Sequence, residues 1–228
     1  MKHGFYTKSK SQQNRVQLFI ATSALLITFL AVFVSWIAKV YFLGILIILV
    51  VITIIAPFFD TPSLKKNGKL RYLSLLLITE IPKNGVLKIH GGTLFDYVFV
   101  IDKKMNGNQR TNFIIQKYLE GVLNLIAEYE NKKINNLTIR GTSYIINDRT
   151  AERIGFKVIR TDLIQKFILV FNYFNVLISY SIAKDKLSFP KVSDTKTFEA
   201  KLVDLAKRKV FLMNLNNKLK SSIQNRES

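Results

Sequence analysis

The chain has no cysteine and only two histidines, His3 and His90. The absence of cysteine excludes disulfide bonds, thiolate catalysis and cysteine-ligated metals, and it fits a domain in a reducing compartment. Two histidines far apart in sequence give no basis for a histidine-ligated metal, and no loop gathers the several carboxylates that Mg²⁺ or Ca²⁺ would need. The sequence therefore predicts no metal site.

Acidic residues are also scarce. There are 15 of them against 34 lysines and arginines, which gives a net charge of +19, although 49% of the residues are hydrophobic. A basic soluble protein rarely needs so much apolar content, so the composition points to a membrane. Nucleic-acid binding would need a continuous basic patch with stacking aromatics. Because the lysines are instead spread over both ends of the chain and a linker, no nucleic-acid partner is expected.

A long apolar run near the amino terminus predicts a membrane anchor. Residues 16–59 contain a single charge, Lys39. One helix of this length would measure roughly 65 Å, which is about twice the thickness of the hydrocarbon core. The run must therefore form two spans, and residues 35–41 are the predicted turn because Trp36, Lys39 and Tyr41 are types that favour the membrane interface. A cleaved signal peptide would be much shorter, so the hairpin is a retained anchor.

Basic residues flank the predicted hairpin on both sides. Residues 1–15 form a basic amino-terminal segment, and residues 60–71 form a predicted juxtamembrane linker. The positive-inside rule then places both termini in the cytoplasm, at a bacterial inner membrane or an equivalent membrane. The linker cations are candidates for contact with anionic lipid headgroups. They are Lys65, Lys66, Lys69 and Arg71.

Residues 72–162 predict a small cytoplasmic α/β domain. Short β-branched and aromatic runs between turn signals predict strands, and apolar positions that recur at three and four residues predict a helix. Helices that alternate with strands imply right-handed crossovers onto a mixed or partly parallel sheet. The predicted strands are 72–81, 86–90, 93–102, 134–146 and 156–160, and the predicted helices are 111–132 and 148–154.

The segment 163–187 is apolar, but Lys166, Asn172 and Asn175 interrupt it. A third span here would export the basic tail, against the positive-inside rule. A helix that lies in the membrane interface, or that packs on the domain, is therefore favoured over a span.

The last segment, residues 188–228, predicts a basic amphipathic helical tail. Asp194 or Thr195 can cap it, and apolar residues recur along it at helical spacing beside many lysines. Such a helix can pack on its own domain, lie on anionic lipid or pair with a partner helix, and packing on its own domain is the default.

The stretch TSYIINDRTAERIGFKVI, residues 142–159, resembles the final strand, helix and strand of the GNAT acyltransferase family. The preceding order of a strand, a long helix and a strand is also similar to the second half of that fold, so the resemblance covers residues 86–160. The matched positions are Asn147, where the short helix opens, and Ala151, Gly155 and Phe156 at its end.

The resemblance implies a GNAT-like fold and acyl-CoA as a cofactor, bound through its pyrophosphate at the amino end of the long helix. The family has small residues where the phosphate approaches the backbone, whereas this chain, counted from Gln109, has Asn112 and Ile114 there. The cofactor-binding candidates under this resemblance are Gln109, Arg110, Thr111 and Asn147.

An acyltransferase also needs groups that move protons. The family often has a tyrosine in the short helix as general acid, and residues 148–154 contain none. The amine substrate must lose a proton, for which Glu80 or Asp96 could serve, with His90 close to both in sequence. The sequence assigns no catalytic residue.

Two functions follow from these observations. The favoured one is a membrane-anchored cytoplasmic binding or assembly module, without catalysis and without a cofactor. Its expected partner is a bilayer with anionic headgroups, while a protein partner or a second copy of the chain is left open. The alternative is an acyl-CoA-dependent N-acyltransferase that acts at the membrane.

Overall fold

The computed structural model describes residues 2–132, 137–143 and 148–224. Two long helices come first, and a six-stranded mixed sheet with shorter helices follows. The elements in chain order are α1 (Lys10–Ile37), α2 (Tyr41–Lys66), β1 (Leu70–Tyr72), β2 (Leu77–Glu80), β3 (Val86–Gly91), α3 (Leu94–Val100), α4 (Gly107–Lys132), β4 (Thr138–Ser143), α5 (Asp148–Ile154), β5 (Lys157–Ile159), α6 (Leu163–Phe171), α7 (Tyr173–Lys184), a 3₁₀ turn (Val192–Asp194), β6 (Lys196–Lys201), α8 (Leu202–Lys207) and α9 (Lys209–Gln224).

The helices α1 and α2 pack against each other as a hairpin, and both are long and apolar enough to cross a membrane, as predicted. Three residues connect them, of which Lys39 adopts the left-handed backbone conformation. The helices approach closely at Gly44, where a Cβ would lie 2.9 Å from the Ser35 hydroxyl oxygen. Small residues at such contacts let membrane helices pack.

The end of α2 differs from the prediction. Residues 60–66, predicted as linker, form the last turns of α2, which continues through Pro57 and Pro62 to Lys66. Only three residues separate α2 from β1. The hairpin is therefore joined to the sheet by a connection of three residues rather than by the predicted linker of twelve residues.

The first proline of α2 has a partner outside the helix. Pro57 lacks the N–H that would bond to the carbonyl of Thr53, four residues earlier. That carbonyl instead accepts a hydrogen bond from Nδ2 of Asn175 in α7, at 2.7 Å. A carbonyl without a partner is costly in an apolar environment, so Asn175 stabilises the helix where the proline interrupts it.

The second proline is compensated in the same way from the other side. Pro62 leaves the carbonyl of Phe58 without its helical donor. Nε2 of Gln17 in α1 donates to this carbonyl at 3.0 Å. The two amide side chains thus allow α2 to retain both prolines, and they attach α2 to α1 and to α7.

We expect Asn175→Leu to lower the free energy of unfolding by about 1 kcal/mol, because it leaves the Thr53 carbonyl unbonded. In a Pro57→Ala background the restored N–H can bond to Thr53, so the same substitution should cost clearly less. Calorimetric unfolding of the four proteins of this double-mutant cycle in lipid nanodiscs measures the difference.

The matched control is Gln17→Leu, whose partner is the Phe58 carbonyl. Its cost should be unchanged by Pro57→Ala and relieved by Pro62→Ala. Equal costs of Asn175→Leu with and without Pro57 would contradict the compensation.

The sheet has the strand order β1-β2-β3-β4-β6-β5, in which β3 and β4 are parallel and the other neighbours are antiparallel. The mixed, partly parallel sheet that the sequence predicts is confirmed. The strand predicted at 72–81 is wrong in its start and its continuity. β1 begins at Leu70, inside the predicted linker, and residues 73–76 turn the chain back to β2.

One face of the sheet is covered by helices and the other is polar. Buried side chains of β2, β3, β4 and β6 pack against α4, α8 and α9 in the main hydrophobic core. On the opposite face Arg140 donates to Glu199 at 2.8 Å from Nε. The helical part of the tail therefore packs on its own domain, where Leu205 and Leu212 are fully buried.

The prediction of a strand at residues 93–102 is wrong, because these residues form α3. The aromatic and β-branched composition favours a strand, but the local hydrogen bonds favour a helix. Asp96 accepts from the backbone N–H of Thr93 at 2.7 Å and from its hydroxyl at 3.0 Å. These bonds satisfy the first turn of α3, and its apolar residues pack against the hairpin.

The tail also contains a strand that was not predicted. Residues 196–201, expected to begin the helical tail, form β6, which inserts between β4 and β5. The alternation of the apolar Phe198 and Ala200 with the polar Thr197 and Glu199 is the two-residue period of a strand. The helix begins only at Leu202.

Candidate functional site

The two parallel strands separate at their carboxyl ends. They pair from Val86 with Thr138 to Ile89 with Gly141. Beyond this point β3 pairs with β2, and β4 pairs with β6. Ligands of sheets with parallel strands bind in crevices at such carboxyl ends, where neighbouring chains diverge. The divergence of β3 and β4 is therefore the first place to look for a site.

A cavity of about 70 Å³ lies in this divergence. Its walls come from β3, β4, α4 and α5, with single contributions from β2, β6 and α9, and they are mainly apolar. An apolar cavity of this kind holds an apolar group more readily than ordered water. The lining residues are Leu77, Ile89, His90, Gly91, Ile115, Tyr118, Leu119, Val122, Gly141, Thr142, Ser143, Thr150, Ala151, Ile154, Phe156, Phe198 and Leu215.

Tyr118 closes one wall of the cavity. Its hydroxyl lies against Gly91, where a Cβ would come within 2.3 Å of it. Only glycine at the end of β3 leaves room for this phenol. Burial raises the pKa of Tyr118 to about 12, so the side chain is neutral at physiological pH.

One histidine that lines the cavity is paired with a carboxylate. His90 lines the cavity, and its Nε2 lies 2.9 Å from Oε1 of Glu80 on the neighbouring strand. Both side chains are about half exposed. The pair lies across antiparallel strands on the polar face of the sheet. Of the two carboxylates considered as proton acceptors, Glu80 is therefore the one paired with a residue that lines the cavity, although the pair itself is on the face of the sheet opposite α4.

Asp96 has a different environment. It is fully buried beneath the hairpin and accepts from Oη of Tyr72 at 2.5 Å and from the ring of His3 at 3.1 Å, in addition to its bonds with Thr93. Burial and the charge of Asp96 raise the pKa of Tyr72, so this phenol is a neutral donor. Surrounded in this way, Asp96 connects chain segments and does not contact the cavity.

The long helix α4 begins at Gly107, four residues earlier than predicted, and its amino end is occupied by its own chain. Gln109 accepts from the backbone N–H of Asn106 at 2.8 Å, while the Asn106 side chain accepts from the N–H of Gln109 at 3.0 Å. This reciprocal cap satisfies donors that a pyrophosphate would otherwise use.

The remaining cofactor-binding candidates at this end also contact other parts of the protein. Nη1 of Arg110 donates to the carbonyl of Ile182 in α7 at 2.9 Å, and Thr111 donates to the carbonyl of Gly107 at 2.8 Å. Arg110 also pairs with Asp185. The fourth candidate, Asn147, lies outside the described residues.

The basic residues predicted to contact lipid headgroups fall into two groups. Nζ of Lys65 lies 3.3 Å from the ring centroid of Tyr6, and Nη1 of Arg71 pairs with Glu128 at 2.6 Å. Lys66 and Lys69 are exposed at the end of α2. Contact with lipid headgroups therefore stays a prediction. Lys66 and Lys69 are better candidates for it than Lys65 and Arg71.

Within the described residues, no group of three or more histidine, aspartate and glutamate side chains could hold a metal ion. Comparisons with protein-family models, with curated proteins and with solved structures each find no match for this chain. Most residues around the cavity, among them Tyr118 and Thr142, were not identified as site residues from the sequence. They converge only because β3 and β4 are parallel neighbours.

In the folded state the pKa of the Tyr118 phenol is about 12, whereas in the unfolded chain it is 10. The stabilisation that depends on the neutral phenol is therefore complete below pH 10 and is lost as the pH rises to about 12. Two pKa units correspond to about 2 to 3 kcal/mol. We expect Tyr118→Phe to lose less stability than the unmodified protein between pH 10 and pH 12. Denaturant unfolding across this range, with tyrosinate absorbance as a second measurement, checks this expectation, and parallel stability curves would rule it out.

Proposed function

We propose that this chain is a membrane-anchored binding module that takes a small ligand with an apolar group in the crevice between β3 and β4. The observation behind the proposal is that two parallel strands separate around an apolar cavity at their carboxyl ends. Backbone groups of the diverging strands and the hydroxyl of Tyr118 give this crevice a few polar groups among many apolar ones. That mixture is typical of small-molecule sites.

The crevice lies at the carboxyl ends of the central strands β3 and β4, and these ends are the ones nearer the hairpin. Thr93 follows β3 by two residues, and its hydroxyl lies 3.2 Å from that of Thr61 in the last turns of α2. The carboxyl end of β3 therefore points toward the anchor. A ligand that enters here can come from the membrane or from the water layer beside it.

The side of the membrane follows from charge. The amino-terminal segment is on the same side as the domain, because Phe5 is buried against Phe58 and Phe95. Cations at both ends of the hairpin, with few acids, support a cytoplasmic placement for that side. A bacterial inner membrane fits this arrangement and belongs to the proposal.

The second candidate function is an acyl-CoA-dependent N-acyltransferase. The order β3, α3, α4, β4, α5, β5 supports the resemblance to the second half of the GNAT fold, with β3 in the place of the strand predicted at 93–102, and the apolar cavity suits an acyl group. In such a transfer the acyl carbon bonds to the amine nitrogen, the bond to the thioester sulfur breaks, and the nitrogen loses a proton. The pair of His90 and Glu80 on the polar face of the sheet is the candidate acceptor for that proton.

The capped amino end of α4 favours the binding module over the transferase. Acyl-CoA recognition needs free backbone donors for a pyrophosphate. Here Asn106 and Gln109 bond to those donors, and Arg110 is held by α7. The acyl part of such a cofactor would fit the cavity, but its phosphates would need another place.

We expect 1-hexanol to slow hydrogen exchange in peptides that cover β3 and α5 when the full chain is in lipid nanodiscs. Acetyl-CoA should give no more protection than coenzyme A. Ala151→Leu adds three carbon atoms to the cavity and should abolish the protection, while the unfolding temperature stays equal or rises because the cavity is filled. Hydrogen-exchange mass spectrometry measures all of these effects.

The control is Ala127→Leu, the same chemical change at an exposed position of α4. It should leave the protection by 1-hexanol intact, which separates cavity binding from partitioning into lipid. Saturable protection by acetyl-CoA alone would favour the transferase. If no compound protects either segment, the crevice is not a binding site.

A further inference from the structure

The helix α6 leaves its apolar side chains without a covering surface in the described part of the chain. Seven of its nine residues are exposed and the other two are half-buried. Exposed apolar side chains in one short stretch mark an interaction surface more often than chance exposure. Those of α6 and the next turn are Leu163, Ile164, Phe167, Ile168, Val170, Phe171 and Phe174, with exposed fractions between 40% and 79%.

The hydrogen bond between Asn175 and Thr53 shows how far along the apolar part of α2 the junction of α6 and α7 lies. Thr53 lies seven residues before Asp60, the first charge after Lys39 in the hairpin. At about 1.5 Å per residue this distance is roughly 10 Å along α2. Because Asn175 is in the first turn of α7 and bonds to Thr53 at 2.7 Å, the junction of α6 and α7 lies beside the apolar part of α2.

Helices α6 and α7 both have their outer ends at the α/β domain. They are bent by 74° at Asn172, so they do not form one straight span. The far end of α7 is held at the domain, where the carbonyl of Lys184 lies 2.3 Å from the position of a Cβ on Gly107. The near end of α6 follows β5 by three residues. Both outer ends thus belong to the domain, and only the junction reaches the depth of Thr53.

The backbone at the bend has the hydrogen bonds that a membrane would require. Asn172 interrupts the helix, and both its backbone N–H, at 3.0 Å, and its Nδ2, at 2.9 Å, donate to the carbonyl of Ile168. Polar backbone groups at a break can be tolerated at membrane depth only when they are bonded in this way. Asn172 is therefore compatible with burial in lipid. Asn175 uses its Nδ2 on the Thr53 carbonyl, while its buried Oδ1 has no hydrogen-bond partner among the described residues.

The basic residues beside α6 are complementary to an anionic membrane surface. A groove of about 360 Å³ lies between the end of β5, α6 and the start of β6. It is lined by Arg160 and Lys166, by Lys196, which also pairs with Asp148 at 3.4 Å, and by Ser193 and Thr195. Asp162 caps the amino end of α6 beside this groove. Cations at this level, with apolar side chains below them, suit an anionic lipid leaflet.

We infer that α6 and the first turn of α7 form a re-entrant wedge that inserts into the leaflet nearest the domain. The lipid acyl chains cover Phe167, Phe171 and Phe174, and the groove with Lys166 lies at the level of anionic headgroups. The inference rests on the proposed anchoring of α1 and α2 in a membrane. It assigns this surface to lipid rather than to a protein.

The chain has no cysteine, so single labels can be placed without removing native ones. Phe167→Cys and Phe171→Cys carry an environment-sensitive fluorophore in the full chain, with one copy per nanodisc of mixed anionic and zwitterionic lipid. Ile52→Cys in α2 is the membrane reference, and Arg153→Cys in α5 is the aqueous reference. We expect lipids with doxyl groups on their acyl chains to quench labels at 167 and 171 to the same degree as at 52, and several-fold more than at 153.

Three results would overturn the inference, and the references distinguish them. If quenching at 167 and 171 is as weak as at 153, while quenching at 52 is strong, the wedge lies in water although the hairpin is in the membrane. Weak quenching at 52 as well means that the hairpin itself is not in the membrane. Labels at 167 and 171 that neither doxyl lipid nor aqueous iodide can reach are covered by protein.

Discussion

The buried carboxylate of Asp96 is the interaction on which the arrangement of the molecule depends. It accepts hydrogen bonds from Thr93, Tyr72 and His3, which belong to three separate parts of the chain. Burying a charge without such partners would be prohibitive, so the three segments are brought to one point. The first turn of α3 is thereby placed under the hairpin, and Phe95 packs between Phe5 and Phe58. The direction of the sheet relative to the anchor follows from this packing.

A second constraint acts inside the apolar region, where each backbone carbonyl needs a donor. Two prolines in α2 create two vacancies, and Gln17 and Asn175 fill them. In the sequence these amides look like interruptions of apolar segments. In the structure they are the complements of the prolines, and one of them holds α7 at a depth that its composition alone would not indicate. Polar residues in apolar runs are thus best interpreted together with the prolines of neighbouring helices.

The predictability of each part follows from the range of the interactions that form it. The hairpin, α4, α5 and β5 are visible in the sequence because hydrophobicity, periodicity and capping are local signals. The segment that forms α3 has the composition of a strand, and only the bond between Thr93 and Asp96 shows that it is a helix. The strand β6 was not predicted, because apolar residues recur at helical spacing along the lysine-rich tail and therefore indicated a helix. The cavity depends on the parallel pairing of β3 with β4, which connects residues some fifty positions apart and has no local signature.

The membrane-facing helices and the crevice are connected through α4. The carboxyl end of α7 covers the amino end of α4 through the bonds of Arg110 to Ile182 and Asp185, and the opposite end of α7 is attached to α2 by Asn175. The same α4 contributes Tyr118 to the cavity wall. Any anion that bound at the amino end of α4 would have to displace α7 and therefore disturb its seat beside α2. Ligand binding at that end is therefore coupled to the contact of α7 with α2, whereas an apolar ligand in the crevice leaves α7 in place. This difference in cost is the physical reason to prefer the binding module over the transferase.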